Sequence, residues 1–297
     1  MAGHILRDCF MPVDYKEDER SNLVLSEFHH IVDTAFFIYS SMIFYFSGTG
    51  NSKWIAKQLS NGLSEDLVFI PDAMEKGVFE YELKEDEKIG FVFPIYSWAP
   101  PVIVQDFIKR LVLKGYQNHY LFFVCSCGDD TGLTQQVMTK ALGEKHWACN
   151  AAFSVIMPNN YVLFPGFDVD SKELERKKLN EARAAVEEIK GRLDRREAVF
   201  ACKEGSFPFI KTRVINPFFV RYQMDPKHFY ATDACVGCKR CEKACPVNNV
   251  TVKDGMPSWG DKCTSCLACY HVCPQQAVQY AKKTKGKGHY FNPDFAF

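Results

Sequence analysis

The stretch MIFYFSGTGNS, Met42–Ser52, decides how the rest of the chain is read. Its first part, Ile43–Phe46, is a short apolar run of the kind that forms a strand buried on both faces. Its second part, Ser47–Ser52, reads SGTGNS. A helical pattern follows over Ser52–Leu63, with Ile55, Leu59 and Leu63 four apart. Strand, glycine loop and helix in that order predict an anion site. The first N–H groups of a helix are unpaired and its dipole favours negative charge. Glycine lets the backbone close around the anion, and the hydroxyls of Ser47, Thr49 and Ser52 can donate to it. Taken alone, such a hexapeptide can also be a plain turn. No Gly-Lys-Ser/Thr is present, which argues against a nucleotide P-loop, and there is no G-x-G-x-x-G dinucleotide fingerprint. A terminal monophosphate held by uncharged donors is the better match.

Four more apolar runs follow, at Leu67–Ile70, Ile89–Phe93, Tyr120–Cys125 and Ala151–Met157. Helical patterns lie at Val102–Leu113, Thr131–Leu142 and Ser171–Arg196. In the last, Leu179, Ala182, Val186, Ile189 and Leu193 make one apolar stripe. This alternation predicts an α/β fold with a parallel sheet and helices on both faces. Pro71–Lys88 is polar and weakly periodic, and no full helix is expected there. Residues 198–230 carry aromatics and prolines without a period, and read as an ordered linker.

Composition bounds the rest. The chain has 297 residues, 47% hydrophobic and 24% charged, with zero formal net charge. That is ordinary for a soluble globular protein of one or two domains. It offers no global field for nucleic acid or a membrane surface. The apolar segment Ile31–Phe46 is interrupted by Asp33 and is shorter than the roughly 20 residues a span needs. Residues 1–41 are acidic and aperiodic, and are expected to be an N-terminal extension outside the fold. They show no signal-peptide pattern, so a reducing cytoplasm is expected.

The cysteines carry the strongest signal. Eight of 13 lie between Cys235 and Cys273. CVGCKRCEKACP (Cys235–Pro246) and CTSCLACYHVCP (Cys263–Pro274) each read C-x2-C-x2-C-x3-C-P, 28 residues apart. Zinc is the rival reading, but it usually takes two separated pairs. Three thiols at successive x2 spacing with a fourth before proline suit a [4Fe-4S] cubane, in which the fourth thiol ligates the other cluster. Cys235, Cys238, Cys241 and Cys273 are then expected on cluster I, and Cys263, Cys266, Cys269 and Cys245 on cluster II. No zinc is expected. From Ala231 to Phe297 there are nine Lys or Arg against five Asp or Glu. They fit as counter-charge for two clusters, although Lys282–Lys287 could equally be a solvated face.

On these residues, Met42 to about Arg196 resembles a flavodoxin, with SGTGNS similar to that family's T-x-T-G-x-T phosphate loop. Asp225–Phe297 resembles a bacterial two-cluster ferredoxin. The whole is similar to a family of flavodoxin–ferredoxin fusion proteins of anaerobic bacteria. The resemblance implies a five-stranded doubly wound sheet of order 2-1-3-4-5, then a small α+β ferredoxin domain. The implied boundaries are 42–197 for the FMN domain, 198–230 for the linker, 231–282 for the two clusters and 283–297 for a tail. It implies FMN on Ser47, Gly48, Thr49, Gly50, Asn51 and Ser52. The ring would lie against Pro94, Tyr96 and Trp98 and against Cys127, Gly128 and Asp129. Tyr96 and Trp98 are candidates to stack on it, or else cap the sheet. Asn160 or Tyr161 could line the same pocket.

Three functions fit this sequence. One is an electron carrier or relay between FMN, two [4Fe-4S] clusters and an unidentified redox partner. Another is a flavin-dependent reductase of a small substrate such as a quinone or nitro compound. The third is a non-redox zinc module. The lack of a dinucleotide fingerprint or an acid–base pair favours the first.

Overall fold

The computed structural model describes residues 41–60, 67–222 and 225–295. The expectation for residues 1–41 lies outside these, Ser41 excepted, as does the stretch carrying Leu63.

Six parallel strands form the central sheet: β1 (Ser41–Tyr45), β2 (Leu67–Phe69), β4 (Lys88–Pro94), β6 (Leu121–Cys127), β7 (Cys149–Ile156) and β8 (Phe200–Ala201). Their order is β2-β1-β4-β6-β7-β8. The expected order 2-1-3-4-5 is present, and β8 adds a sixth strand beside β7, with Ala152 opposite Phe200. Two residues are too few to show a period, so β8 left no pattern. The chain runs from β1 out to β2 and returns across β1 to β4. The order therefore reverses at the carboxyl ends of β1 and β4, where ligands bind in such sheets.

Alternation along the strands builds two cores. Phe44, Phe91 and Phe123 face one side with Phe107 from α3 (Val102–Arg110) and Met138 from α4 (Thr134–Gly143). Ile43, Val92 and Phe153 face the other, with Ile55 from α1 (Asn51–Leu59) and Val186 from α5 (Lys172–Asp194). Ser171 caps α5, its hydroxyl accepting from Leu174 N at 3.2 Å. Pro71–Lys88 holds a two-turn helix, α2 (Ile70–Lys76), and a short strand, β3 (Glu80–Glu82), paired with β5 (Val112–Lys114).

The cysteine repeat is a structural repeat. Gly237, Lys239 and Asn248 have positive φ, and so do Ser265, Leu267 and Gln276, each 28 residues further on. Short helices follow each left-handed turn, at Arg240–Ala244 and Ala268–His271. Two antiparallel ribbons match in the same way. β9 (Phe229–Ala231) pairs with β12 (Val278–Tyr280), and β11 (Met256–Trp259) pairs with β10 (Val250–Lys253).

Two segments are more closely built in than expected. Residues 198–230 hold β8 and a helical stretch of three parts, Pro208–Ile210, a π turn Lys211–Ile215 and Asn216–Tyr222. The 283–297 segment returns to the flavodoxin-like half. Lys287 Nζ donates to the carbonyls of Phe164 at 2.8 Å and Phe167 at 2.7 Å, and Asn292 N donates to Thr49 O at 2.8 Å. Lys287 is thus bound to backbone carbonyls, not simply solvated.

Candidate cofactor sites

A cavity of about 310 Å³ opens at the switch point. Ser47, Gly48, Thr49, Asn51 and Ser52 line it from the turn between β1 and α1. The hydroxyls of this turn are aligned by neighbours. Ser47 Oγ accepts from Gly50 N at 3.2 Å, Thr49 Oγ1 accepts from Asn160 Nδ2, and Ser52 Oγ lies 2.8 Å from Ser126 Oγ. Since Ser47 and Thr49 serve as acceptors, their own hydroxyl protons remain for a ligand.

Two residues of the expected set stand differently. Gly50 does not line the cavity. At φ 97° a Cβ there would meet Asn292 and Phe295, so this glycine admits the C-terminal segment. The amide of Asn51 is occupied: Oδ1 accepts from Tyr290 OH at 2.6 Å and Asn292 Nδ2 at 3.2 Å, and Nδ2 donates to Pro158 O at 3.2 Å. Its side chain shapes the turn. Lys53 stacks over the Phe295 ring at 4.9 Å, outside the cavity lining.

Pro94, Tyr96 and Trp98 line the cavity from the end of β4, and Cys127, Gly128 and Asp129 from the end of β6. Tyr96–Ala99 is a tight turn, with Tyr96 N donating to Ala99 O at 2.9 Å. Ser97 and Trp98 both have positive φ, 47° and 62°. Such backbone is costly for residues other than Gly, Asn or Asp and persists only when neighbours hold it. The segment expected as a linker does so. Thr212 Oγ1 donates to Trp98 O at 2.8 Å and accepts from Leu133 N at 2.8 Å, and Asn216 Nδ2 donates to Tyr96 O at 3.0 Å. Lys211 and Phe219 from this segment also line the cavity. Lys211 pairs with Asp130 at 2.6 Å. A buried pair, Lys178–Asp170 at 2.8 Å, ties Gly128 O to Asn159.

The far wall comes from the cysteine repeat: Ser265, Cys266 and Leu267 line the same cavity. Gly48 makes this approach possible, because a Cβ on it would lie 2.6 Å from Cys266 Cβ. Tyr96 shares that wall. Burial, then Cys266 and Cys263, pushes its hydroxyl well above the usual phenol range.

The cavity fits a flavin mononucleotide in three respects. Its volume is that of a small-ligand cleft. One end carries neutral donors at a helix start. Elsewhere Ser97 Oγ, Asp130 Oδ1 and Tyr161 OH are buried without a hydrogen-bond partner among the described residues, although all three residues line the cavity. Buried polar atoms are rarely left so, and a ring with polar edges would meet them.

Two smaller cavities lie within the repeat. Cys235, Cys238, Cys241 and Cys273 line one; Cys245, Cys263, Cys266 and Cys269 line the other. Each therefore draws its fourth thiol from the opposite motif. Asn249 N donates to Cys245 Sγ and Ala277 N to Cys273 Sγ, both at 3.2 Å, and Trp259 Nε1 donates to Cys269 Sγ at 3.5 Å. Burial pushes the Cys241 thiol up to about 11 and the Cys266 thiol up to about 12. Four thiols around each space, with N–H groups aimed at sulfur, suit an iron–sulfur cluster.

Cys266 belongs to both linings, that of the large cavity and that of the second cysteine cavity. His271 ties the halves nearby. Its Nδ1 accepts from Tyr290 N at 3.1 Å, so Nε2 carries the proton and donates to Asn160 O at 2.6 Å. Burial holds the ring's pKa down to about 3, so it is neutral in ordinary buffers.

Comparison with known proteins agrees with this geometry. A flavodoxin domain matches residues 42–161, and a 4Fe-4S dicluster domain matches residues 234–281. The chain thus joins a flavodoxin domain to a 4Fe-4S dicluster domain. The first domain implies FMN, and the second implies two [4Fe-4S] clusters. Together they assign an electron-transfer role.

A curated relative, one of the subunits of the ion-translocating oxidoreductase complex of Methanosarcina acetivorans, is 44% identical over 46 residues. The match covers 15% of this chain and only 17% of that protein. Among solved structures, rubredoxin oxygen:oxidoreductase from Desulfovibrio gigas is 13% identical with a TM-score of 0.30, covering 59% of this chain and 42% of that one. The Trp repressor binding protein of Bacillus subtilis is 15% identical with a TM-score of 0.31, covering 47% of this chain and 93% of that one. Among the described residues no helix is long and apolar enough to cross a membrane.

Proposed function

We propose that this chain is an electron relay, passing electrons between a flavin site and an external redox partner through its own two cluster sites. The observation that carries this reading is Cys266, a wall residue of both the flavin-sized cavity and the second cysteine cavity. A bound flavin exchanges one or two electrons and a 4Fe-4S cluster exchanges one. The chain's part is to hold the sites side by side. Gly48 removes the side chain that would separate them, and Tyr96 fills the space beside Cys266. Joining the sites in one chain makes the exchange independent of diffusion.

In this reading Ser47, Thr49, Ser52 and the N–H groups of the turn hold the phosphate. Tyr96 and Trp98 flank the ring, with Cys127, Gly128 and Asp129 on its other margin. The eight cysteines hold the clusters in the two crossed sets. Cys238 is exposed, so the first cluster site faces the outside partner. The abundance of free thiols suits a reducing cytoplasm.

Anaerobic purification with metal and flavin analysis tests the cofactor set. About eight irons and one FMN per chain are expected; tight zinc without iron contradicts the reading. A second expectation concerns the phosphate. Thr49→Val removes one donor to a charged group, worth roughly 1.5–3 kcal/mol, or about one to two decades of affinity. FMN binding should weaken by that amount, riboflavin binding should hold, and Lys53→Ala should change neither. Titration of the flavin-free protein with both flavins checks this. A loss of FMN affinity in Lys53→Ala alone would make the lysine, not the neutral turn, the phosphate ligand.

A further inference from the structure

The helical stretch over the flavin-sized cavity has two opposed faces. Thr212, Asn216 and Phe219 point inward, to the hydrogen bonds and lining described above. The outward face is apolar. Phe207 is 75% exposed, Phe209 65%, Val214 58%, Phe218 54% and Tyr222 57%. With Ile210, also exposed, positions 207, 210, 214, 218 and 222 step by three or four along one side. The spacing is that of an amphipathic helix whose apolar stripe is left exposed among the described residues.

Two details show that the exposure is built in. Phe207 sits at a left-handed φ of 52°, a costly backbone for a bulky residue, and is exposed. Phe218 and Tyr222 pack on each other, with ring centroids 4.9 Å apart, and both stay more than half exposed. The charge is one-sided as well. Residues 205–224 contain no Asp or Glu; Lys211 turns inward to Asp130, which leaves Arg213 and Arg221 as the outward charges. Arg213 and Arg221 are exposed beside the aromatic stripe. The chain's zero net charge conceals this local bias.

We propose that residues 207–222 dock this protein on an anionic phospholipid surface. An exposed stripe of aromatic and aliphatic side chains, flanked by arginines and without Asp or Glu in residues 205–224, matches the interfacial region of such a membrane. The rings enter the boundary of the acyl chains, and the arginines meet the lipid phosphates. Exposed apolar rings accompanied only by cations complement a surface that is apolar beneath and anionic above, which an anionic bilayer offers. Because the inner side of the same stretch lines the large cavity, docking would set that cavity beside the lipid.

Vesicle co-sedimentation of the full-length, cofactor-loaded protein tests this. Vesicles of phosphatidylcholine alone are compared with vesicles containing phosphatidylglycerol, at rising salt. Binding is expected with the anionic vesicles and should weaken as salt screens the arginines. Phe209→Glu/Phe218→Glu should lower the bound fraction about tenfold or more. Arg213→Glu/Arg221→Glu should abolish the preference for anionic lipid. Flavin absorbance and iron content confirm that each variant is folded. No binding to anionic vesicles at low salt would overturn the proposal, as would binding that the phenylalanine variant leaves intact. Self-association or capture of a protein partner that this variant abolishes, without vesicle binding, would assign the stripe to a protein interface instead.

Discussion

Replacing Cys245 with alanine is expected to empty the second cluster site and leave the first, although Cys245 belongs to the first motif. The chain after the short helix Arg240–Ala244 carries this thiol away from its own motif. It lines the cavity of Cys263, Cys266 and Cys269, and Asn249 N donates to its sulfur at 3.2 Å. Losing one of four ligands removes the covalent closure of that cluster, so about half of the iron should go. The flavin should remain bound, since Cys245 does not line the large cavity. Iron analysis together with electron paramagnetic resonance of the reduced variant distinguishes the two clusters. Cys273→Ala should give the converse. Loss of the first cluster in Cys245→Ala would contradict the crossed sets.

Gly48→Ala is expected to damage the flavin site and the join between the halves together. The added Cβ would lie 2.6 Å from Cys266 Cβ and 3.0 Å from Cys266 O. Neither neighbour is the end of a flexible side chain, so backbone must move. Overpacking of this kind costs roughly 1–3 kcal/mol, or about 2–4 °C of unfolding temperature per kcal/mol for a domain of 150–250 residues. The displaced wall should also weaken FMN binding and slow exchange between the sites. Gly77→Ala is the control. Nothing lies within 4 Å of a Cβ there, so no wall moves, and only its φ of 68° is strained. Thermal unfolding and flavin titration read both effects. Unchanged FMN affinity in Gly48→Ala would mean that the contact is not functional.

Both cofactor motifs were legible because their chemistry is local. C-x2-C-x2-C-x3-C-P fixes ligand spacing within twelve residues, and SGTGNS places its donors within one turn. The sheet was legible because each strand buried on both faces makes an apolar run. The join was not. Gly48 and Cys266 meet through the docking of two halves, and no local pattern encodes such a contact. For the same reason Tyr290 and Asn292 looked like tail residues, yet they hold Asn51. Thr212 and Asn216 lay in a stretch where Pro208 and Pro217, and aromatics on both faces such as Phe218 and Phe219, masked the helical spacing, and part of it is wound as a π turn. The positive φ values at Ser97 and Trp98 could not be read either. Serine and tryptophan do not favour that backbone, and the contacts of Thr212 and Asn216 that hold it come from far along the chain.

The relay is tested most directly by the rate at which an electron moves between the two sites. In the loaded protein the flavin is photoreduced by a short flash under argon with EDTA as the sacrificial electron donor, and the iron–sulfur absorbance is followed in time. The account predicts a first-order change whose rate is independent of protein concentration and which is lost in Cys245→Ala. A rate that rises in proportion to protein concentration, or one that Cys245→Ala leaves unchanged, would contradict it.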